Sequence, residues 1–181
     1  KALAAASRAV ELAPELPEAH TSLGVVQLLG WNWDEAHASF LRAIELNPSL
    51  VMAHAQLGCA LHLKGEHGAA IERLHFAVRL SPNDHDLFFT LGELAGAHLF
   101  SGAPELALDF AEQALARRSA YWLAHVIKIG ALVELAEMGA ARIALNDLSG
   151  AKTGFREQFI DWMPFLEGSK REFLKTGLNR A

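Results

Sequence analysis

Cysteine is almost missing from this chain: Cys59 is the only one in 181 residues. No internal disulfide can form, which excludes a disulfide-stapled secreted scaffold and suits a reducing, cytoplasmic compartment. Cations are also few, with 16 Lys and Arg against 21 Asp and Glu and a formal net charge of -5. Proteins that neutralise phosphates carry a basic stripe, and with none here nucleic acid is not an expected partner. Long apolar runs are lacking too. The longest stretch without Asp, Glu, Lys or Arg, from Leu46 to Leu63, includes Pro48, Gln56 and Gly58. It falls short of the ~20 apolar residues a spanning helix needs, so no membrane partner is expected. Arg8 and Glu11 interrupt any signal-peptide core. The chain starts at Lys1 rather than Met, as an excised piece of a longer protein would.

Chemical signatures are equally sparse. No GxGxxG, P-loop, HExxH or GxSxG run occurs. Cys59 has no marked base or oxyanion hole, so a packed or groove-lining thiol is expected rather than a nucleophile. Asp34 and Glu35 sit where a helix starts, and there carboxylates favour the positive end of the dipole. The nine His residues raise the question of a metal. His20, His54 and, after an insertion, His125 hold equivalent places about 10 Å apart, the helix-packing distance, which is too far to share one ion. His62 and His67 bracket a turn and lack a third ligand. No catalytic residue, metal or cofactor is expected.

What the sequence does contain is a period. Pro14, Pro48 and Pro82 are 34 residues apart, and so are Gly24, Gly58 and Gly92, preceded by Leu23, Leu57 and Leu91. Ala36 and Ala70, Ala9, Ala43 and Ala77, and Leu12, Leu46 and Leu80 keep the same register. Each unit divides into two stretches with apolar residues at helical spacing, separated by a turn. The prolines stop the second stretch, since a ring without an N–H cannot continue a helix. Gly24 and Ala36 allow the two helices to approach, with Phe40 filling the space between. One such hairpin cannot bury its own apolar face, so neighbouring hairpins must stack.

The pattern His20, Leu23, Gly24, Gln27, Ala36, Phe40, Ala43, Pro48, with its echo in the next two units, resembles the tetratricopeptide repeat family. The resemblance implies an all-α, right-handed α-solenoid of antiparallel helix pairs with C-terminal capping helices. Residues 1–149 form the array: a truncated second helix at 1–14, then repeats at about 17–48, 51–82, 85–119 and 122–149. Residues 150–181 form the cap, where Phe155, Phe159, Trp162 and Met163 share a helical face. The third repeat carries three extra residues around Ser101 to Pro104, and the fourth has Lys128 and Ile129 in the Leu–Gly slot.

The family's inner groove is lined by one face of each first helix. Carried over by register, that face holds Glu18, Thr21, Val25 and Leu28; Met52, Ala55, Cys59 and His62; and Asp86, Phe89, Glu93 and Gly96. It continues with Leu123, Val126, Gly130 and Val133. Three acids and no Lys or Arg line it, so the resemblance does not extend to members that clamp a carboxylate terminus with cations. The resemblance implies a protein–protein interaction module that takes an apolar or basic segment, with a homodimer as the alternative. Trp31 and Trp33, together in one turn, are read as a staple of that turn rather than as a hot spot. The segment from Gly30 to Pro48, with Phe173, Leu174, Gly177, Leu178 and Ala181, further resembles the C-terminal arrays of bacterial regulators. In those proteins an adenylate cyclase or winged-helix domain precedes the array.

Overall fold

A computed structural model describes residues 1–151, 172–173, 175–177 and 179. Among these residues the regular structure is entirely helical. The apolar face expected at Phe155, Phe159, Trp162 and Met163 lies outside them. Two compact units divide the chain, Lys1–Pro82 and Asn83–Ala181. The first holds α1 (Ala2–Leu12), α2 (Pro17–Leu29), α3 (Trp33–Leu46), α4 (Val51–Lys64) and α5 (His67–Leu80). The second holds α6 (Leu87–Phe100), α7 (Pro104–Arg117), α8 (Trp122–Glu134) and α9 (Met138–Ala151). Within each unit every helix packs on the next, and the first helices of successive pairs also touch, α2 on α4 and α6 on α8.

The helix starts follow from local chemistry. Pro17 and Pro104 occupy the first turns of α2 and α7, where the missing N–H costs nothing. Asp34 and Glu35 lie in the first turn of α3 and favour its dipole.

The turns between paired helices share one construction. Trp31, Gly65, Gly102 and Ala136 all have positive φ, at 65°, 93°, 82° and 59°. The residue after each donates its backbone N–H back five residues, from Asn32 to Gln27, Glu66 to Leu61, Ala103 to His98 and Glu137 to Leu132, at 2.8–2.9 Å. This left-handed close satisfies carbonyls that the helix end would otherwise leave unpaired. Glycine is the natural residue there, yet only two of the four turns have it.

The hairpins close over small residues. A Cβ placed on Gly24 would stand 2.5 Å from Phe40 Cε1, and one on Gly58 would stand 2.5 Å from Leu74 Cγ. Phe40 and Leu74 have no solvent exposure, like the flanking Ala36, Ala43, Ala70 and Ala77. The third hairpin solves the same problem differently. Its second helix has Ala111 where the others have Phe40 and Leu74, and Tyr121, from the connection after α7, fills the space instead. A Cβ on Gly92 would meet Tyr121 Cε1 at 2.5 Å, and Phe88 packs edge-on against the same ring at 5.0 Å.

The three extra residues fall at the junction of α6 with its turn. The turn at Ser101–Ala103 has the same hydrogen bonds as the other three turns. Its left-handed residue, however, comes ten positions after Gly92, whereas Gly65 comes seven after Gly58. Counted from the glycine, α6 ends eight residues on and α4 six, so α6 is shifted toward its C-terminal end rather than followed by a longer turn, and helical backbone satisfies its own polar groups.

These packing differences give opposite expectations for one chemical change. Gly58→Ala should destabilise the chain by about 1–3 kcal/mol through overpacking, although alanine is the better helix former. Gly68→Ala in α5, where a Cβ meets nothing within 4 Å, should stabilise it by up to about 1 kcal/mol. Ala136→Gly should stabilise by a similar amount, about 1 kcal/mol, by relieving a left-handed alanine. Urea unfolding of the three variants checks this. Uniform stabilisation by both Gly→Ala changes would show that the hairpins are not close-packed at the glycines.

Candidate functional site

The expected groove residues fall into two groups of different accessibility. On α2, Glu18 is exposed, Val25 is half-buried, and Thr21 and Leu28 are buried. Thr21 donates its hydroxyl to the Pro17 carbonyl at 2.9 Å, so that polar group is satisfied within the helix. On α4, Met52 is half-buried, while Ala55, Cys59 and His62 are buried. Glu18, Thr21, Val25 and Met52 come together around an open cleft of about 470 Å³, joined by Ser22, Val26 and Leu50. Glu18 is the one charged residue in that lining. Ser22, Val26 and Leu50 were not foreseen. Ser22 and Val26 each follow a groove position by one residue, and Leu50 caps α4 from outside the helix. The site is therefore an apolar trough with a carboxylate on its lip.

In the second unit, Asp86 precedes α6 and is half-buried, as is Phe89; Glu93 is 5% exposed. Gly96 is buried, as are Leu123, Val126 and Gly130 on α8, and Val133 is half-buried. These residues lie on one stripe per helix by their spacing.

The repeated histidines have a structural task. His20, His54 and His125 donate Nε2–H to the carbonyls of Pro14, Pro48 and Ser119, each six residues back, at 2.8, 2.9 and 2.8 Å. Each ring thus holds the first helix of a pair against the loop that delivers it. That role explains why His recurs with the period. His54 goes further: Arg73 donates Nη1–H to its Nδ1 at 3.3 Å, which fixes the ring as the neutral Nε2–H tautomer. Phe76 packs edge-on against it at 4.8 Å. The Nδ1 of His125 is buried and has no hydrogen-bond partner among the described residues.

His62 and His67, expected to bracket a turn, approach with Nδ1 atoms 3.1 Å apart, so one donates to the other. Among the described residues no three of His, Cys, Asp and Glu gather as metal ligands. Trp33 is half-buried at the start of α3, and Trp31 is 45% exposed. A second cleft, of about 580 Å³, opens on the opposite chemistry: Arg73, His75, Phe76 and Arg79 line it with Leu61 and Glu72. The Arg79 guanidinium stands 5.8 Å from the Phe76 ring centre. Nothing in the period pointed to this cluster, because Arg73, His75, Phe76 and Arg79 have Ser39, Leu41, Arg42 and Glu45 at the matching places of the preceding unit.

Burial lowers the His54 pKa below the usual imidazole value, and the charge of Arg73 adds to the effect against the opposing Pro48 hydrogen bond. Burial, with Arg79 contributing, lowers His75 as well. A depressed imidazole binds its proton more weakly in the folded state than in the unfolded one. Its stabilisation is therefore complete above about pH 6.5 and is lost as pH falls from there toward the folded value. Urea midpoints should fall between pH 7.5 and pH 5.5, and the fall should shrink in His54→Phe, a ring that Phe88 already supplies at the equivalent place. An unchanged pH slope in that variant would remove His54 from the account.

No protein-family model and no curated protein matches the chain by sequence. Solved structures do match its fold. PilF of Pseudomonas aeruginosa superposes with a TM-score of 0.73 at 16% identity, over 95% of this chain and 78% of that one. PilW, a type IV pilus biogenesis factor, gives 0.77 at 14% identity, over 98% and 79%. YrrB, a TPR protein with an unusual peptide-binding site, gives 0.64 at 18% identity, over 97% and 90%. No helix among the described residues is long and apolar enough to cross a membrane. At these identities the likeness speaks for architecture alone: this chain has the all-α tetratricopeptide-repeat fold.

Proposed function

We infer that this chain is a non-catalytic protein–protein interaction and regulatory scaffold domain whose α2/α4 cleft takes an apolar, basic segment of a protein or peptide. The observation that carries the reading is the composition of the cleft. Val25, Val26, Leu50 and Met52 offer apolar surface, and Glu18 at the lip offers a carboxylate with no cation among the lining residues. An amphipathic helix laid in such a trough buries its apolar face and brings Lys or Arg to the carboxylate. The shared fold with YrrB, described as having a peptide-binding site, supports a peptide ligand.

The parent protein is proposed on sequence resemblance: a cytoplasmic bacterial signalling protein, an adenylate cyclase, with a winged-helix regulator as the alternative. A homodimer is the competing use of the same surface. It calls for concentration-dependent association, which light scattering over a dilution series measures.

The cleft is tested with two labelled helical peptides, one built from Leu and Lys and one from Leu and Glu. The Leu/Lys peptide should bind and the Leu/Glu peptide should not. Glu18→Lys combined with Met52→Ala should weaken binding by roughly tenfold or more, the scale of a lost hot spot. Equal binding of both peptides, or indifference to the substitutions, would contradict the assignment.

A further inference from the structure

In the second unit, described residues near the C-terminus pack on the α6/α8 stripe. The described residues between 172 and 179 are helical. Phe173 and Gly177 are one turn apart on one face. Phe173 packs edge-on against Phe100, with ring centres 6.1 Å apart. A Cβ on Gly177 would lie 3.7 Å from the Cα of Gly130. Gly177 is buried and Phe173 and Lys175 are half-buried, whereas Glu172, Thr176 and Asn179 are exposed. One face of the segment is therefore seated and the other faces outward.

Both seats lie on the stripes assigned to the groove. Phe100 continues the row Glu93, Gly96 on α6, at spacings of seven and four, and Gly130 lies between Val126 and Val133 on α8. Phe100 exists as a seat because α6 runs on past the point where α4 stops. The charges also match. Residues 169–181 contain Lys170, Arg171, Lys175 and Arg180 against Glu172 alone, and the α6 row carries Asp86 and Glu93 without a cation. A Cβ on Gly177 would only touch Gly130 at ordinary contact distance, so the crossing has room for a small residue and not for a large one, a selection by size as well as by charge.

We propose that the α6/α8 stripe is a binding site for a basic, amphipathic helix with an aromatic residue followed four positions later by a small one. The segment around Phe173 and Gly177 occupies it as a resident ligand. A partner helix of the same pattern enters by displacing that segment. This rests on the groove reading above but concerns a different pair of helices. A tethered occupant competes at about millimolar effective concentration, so weak partners are refused and only strong or multivalent ones enter.

The test uses the full chain and a fluorescein-labelled peptide of residues 169–181. The unaltered chain should bind it weakly. A chain carrying Phe173→Ala and Lys175→Glu, which frees the seat, should bind it at least tenfold more tightly. Gly177→Trp is a second route to the same release and serves if circular dichroism shows the first variant unfolded. A peptide that itself carries Gly177→Trp should fail to bind either chain. Equal affinity for released and unaltered chains, or no binding to any, overturns the proposal. Loss of peptide binding on Glu18→Lys would place the peptide in the α2/α4 cleft, overturning the α6/α8 assignment while sustaining the cleft. Normal tail-peptide binding beside failure of the Leu/Lys assay would do the reverse.

Discussion

Three of the helix pairs depend on one steric contact: a glycine on the first helix meeting a large side chain that has nowhere else to go, whereas the α8/α9 pair has Ile129 in that slot. Phe40 lies over Gly24 and Leu74 lies over Gly58, both without solvent exposure. Interiors packed at crystal-like density transmit such contacts rather than absorb them. The glycine sets the distance between paired helices, and the alanines at 36 and 43, and at 70 and 77, let the next layer follow. The second unit keeps the distance with different means, because Ala111 is too small and Tyr121 reaches in to replace it. What persists is the volume at the contact, not the residue that supplies it.

That distinction explains how far the sequence could be read. The glycine, alanine and proline register gave away the helix pairs, since each residue type there answers a backbone or volume demand that allows few substitutes. The left-handed turns were half legible. Gly65 and Gly102 announce them, whereas the turn at Trp31 shows only as a break in the helical pattern, and neither Trp31 nor Ala136 is a residue type that favours the left-handed conformation it adopts. The three inserted residues were visible as a break in period, yet the shift of α6 toward its C-terminal end was not. The histidines kept the period without announcing why. A ring donating to a carbonyl six residues back is a contact in space that no spacing rule encodes.

The candidate site was partly legible for a related reason. Register placed Glu18, Thr21, Val25 and Met52 on the inner face, and these residues share a cleft. It also placed Ala55, Cys59 and His62 there, and those are buried, because a stripe defined by angle does not know how closely neighbours press upon it. The Phe173 segment was read as a cap for an apolar end. Its described residues meet Phe100 and Gly130, on the rows that register assigns to a groove, and a cap can make the same contacts.

The account stands on coupling between the glycine and the side chain it faces, and a double-mutant cycle on Gly58 and Leu74 measures that coupling directly. Alone, Gly58→Ala forces a methyl group to within 2.5 Å of Leu74 Cγ, and Leu74→Ala opens a cavity. Together they relieve each other, so the double variant should be more stable than the sum of the single losses by about 1 kcal/mol or more. Strict additivity of the two changes in urea unfolding would contradict the claim that this contact sets the spacing of the hairpin.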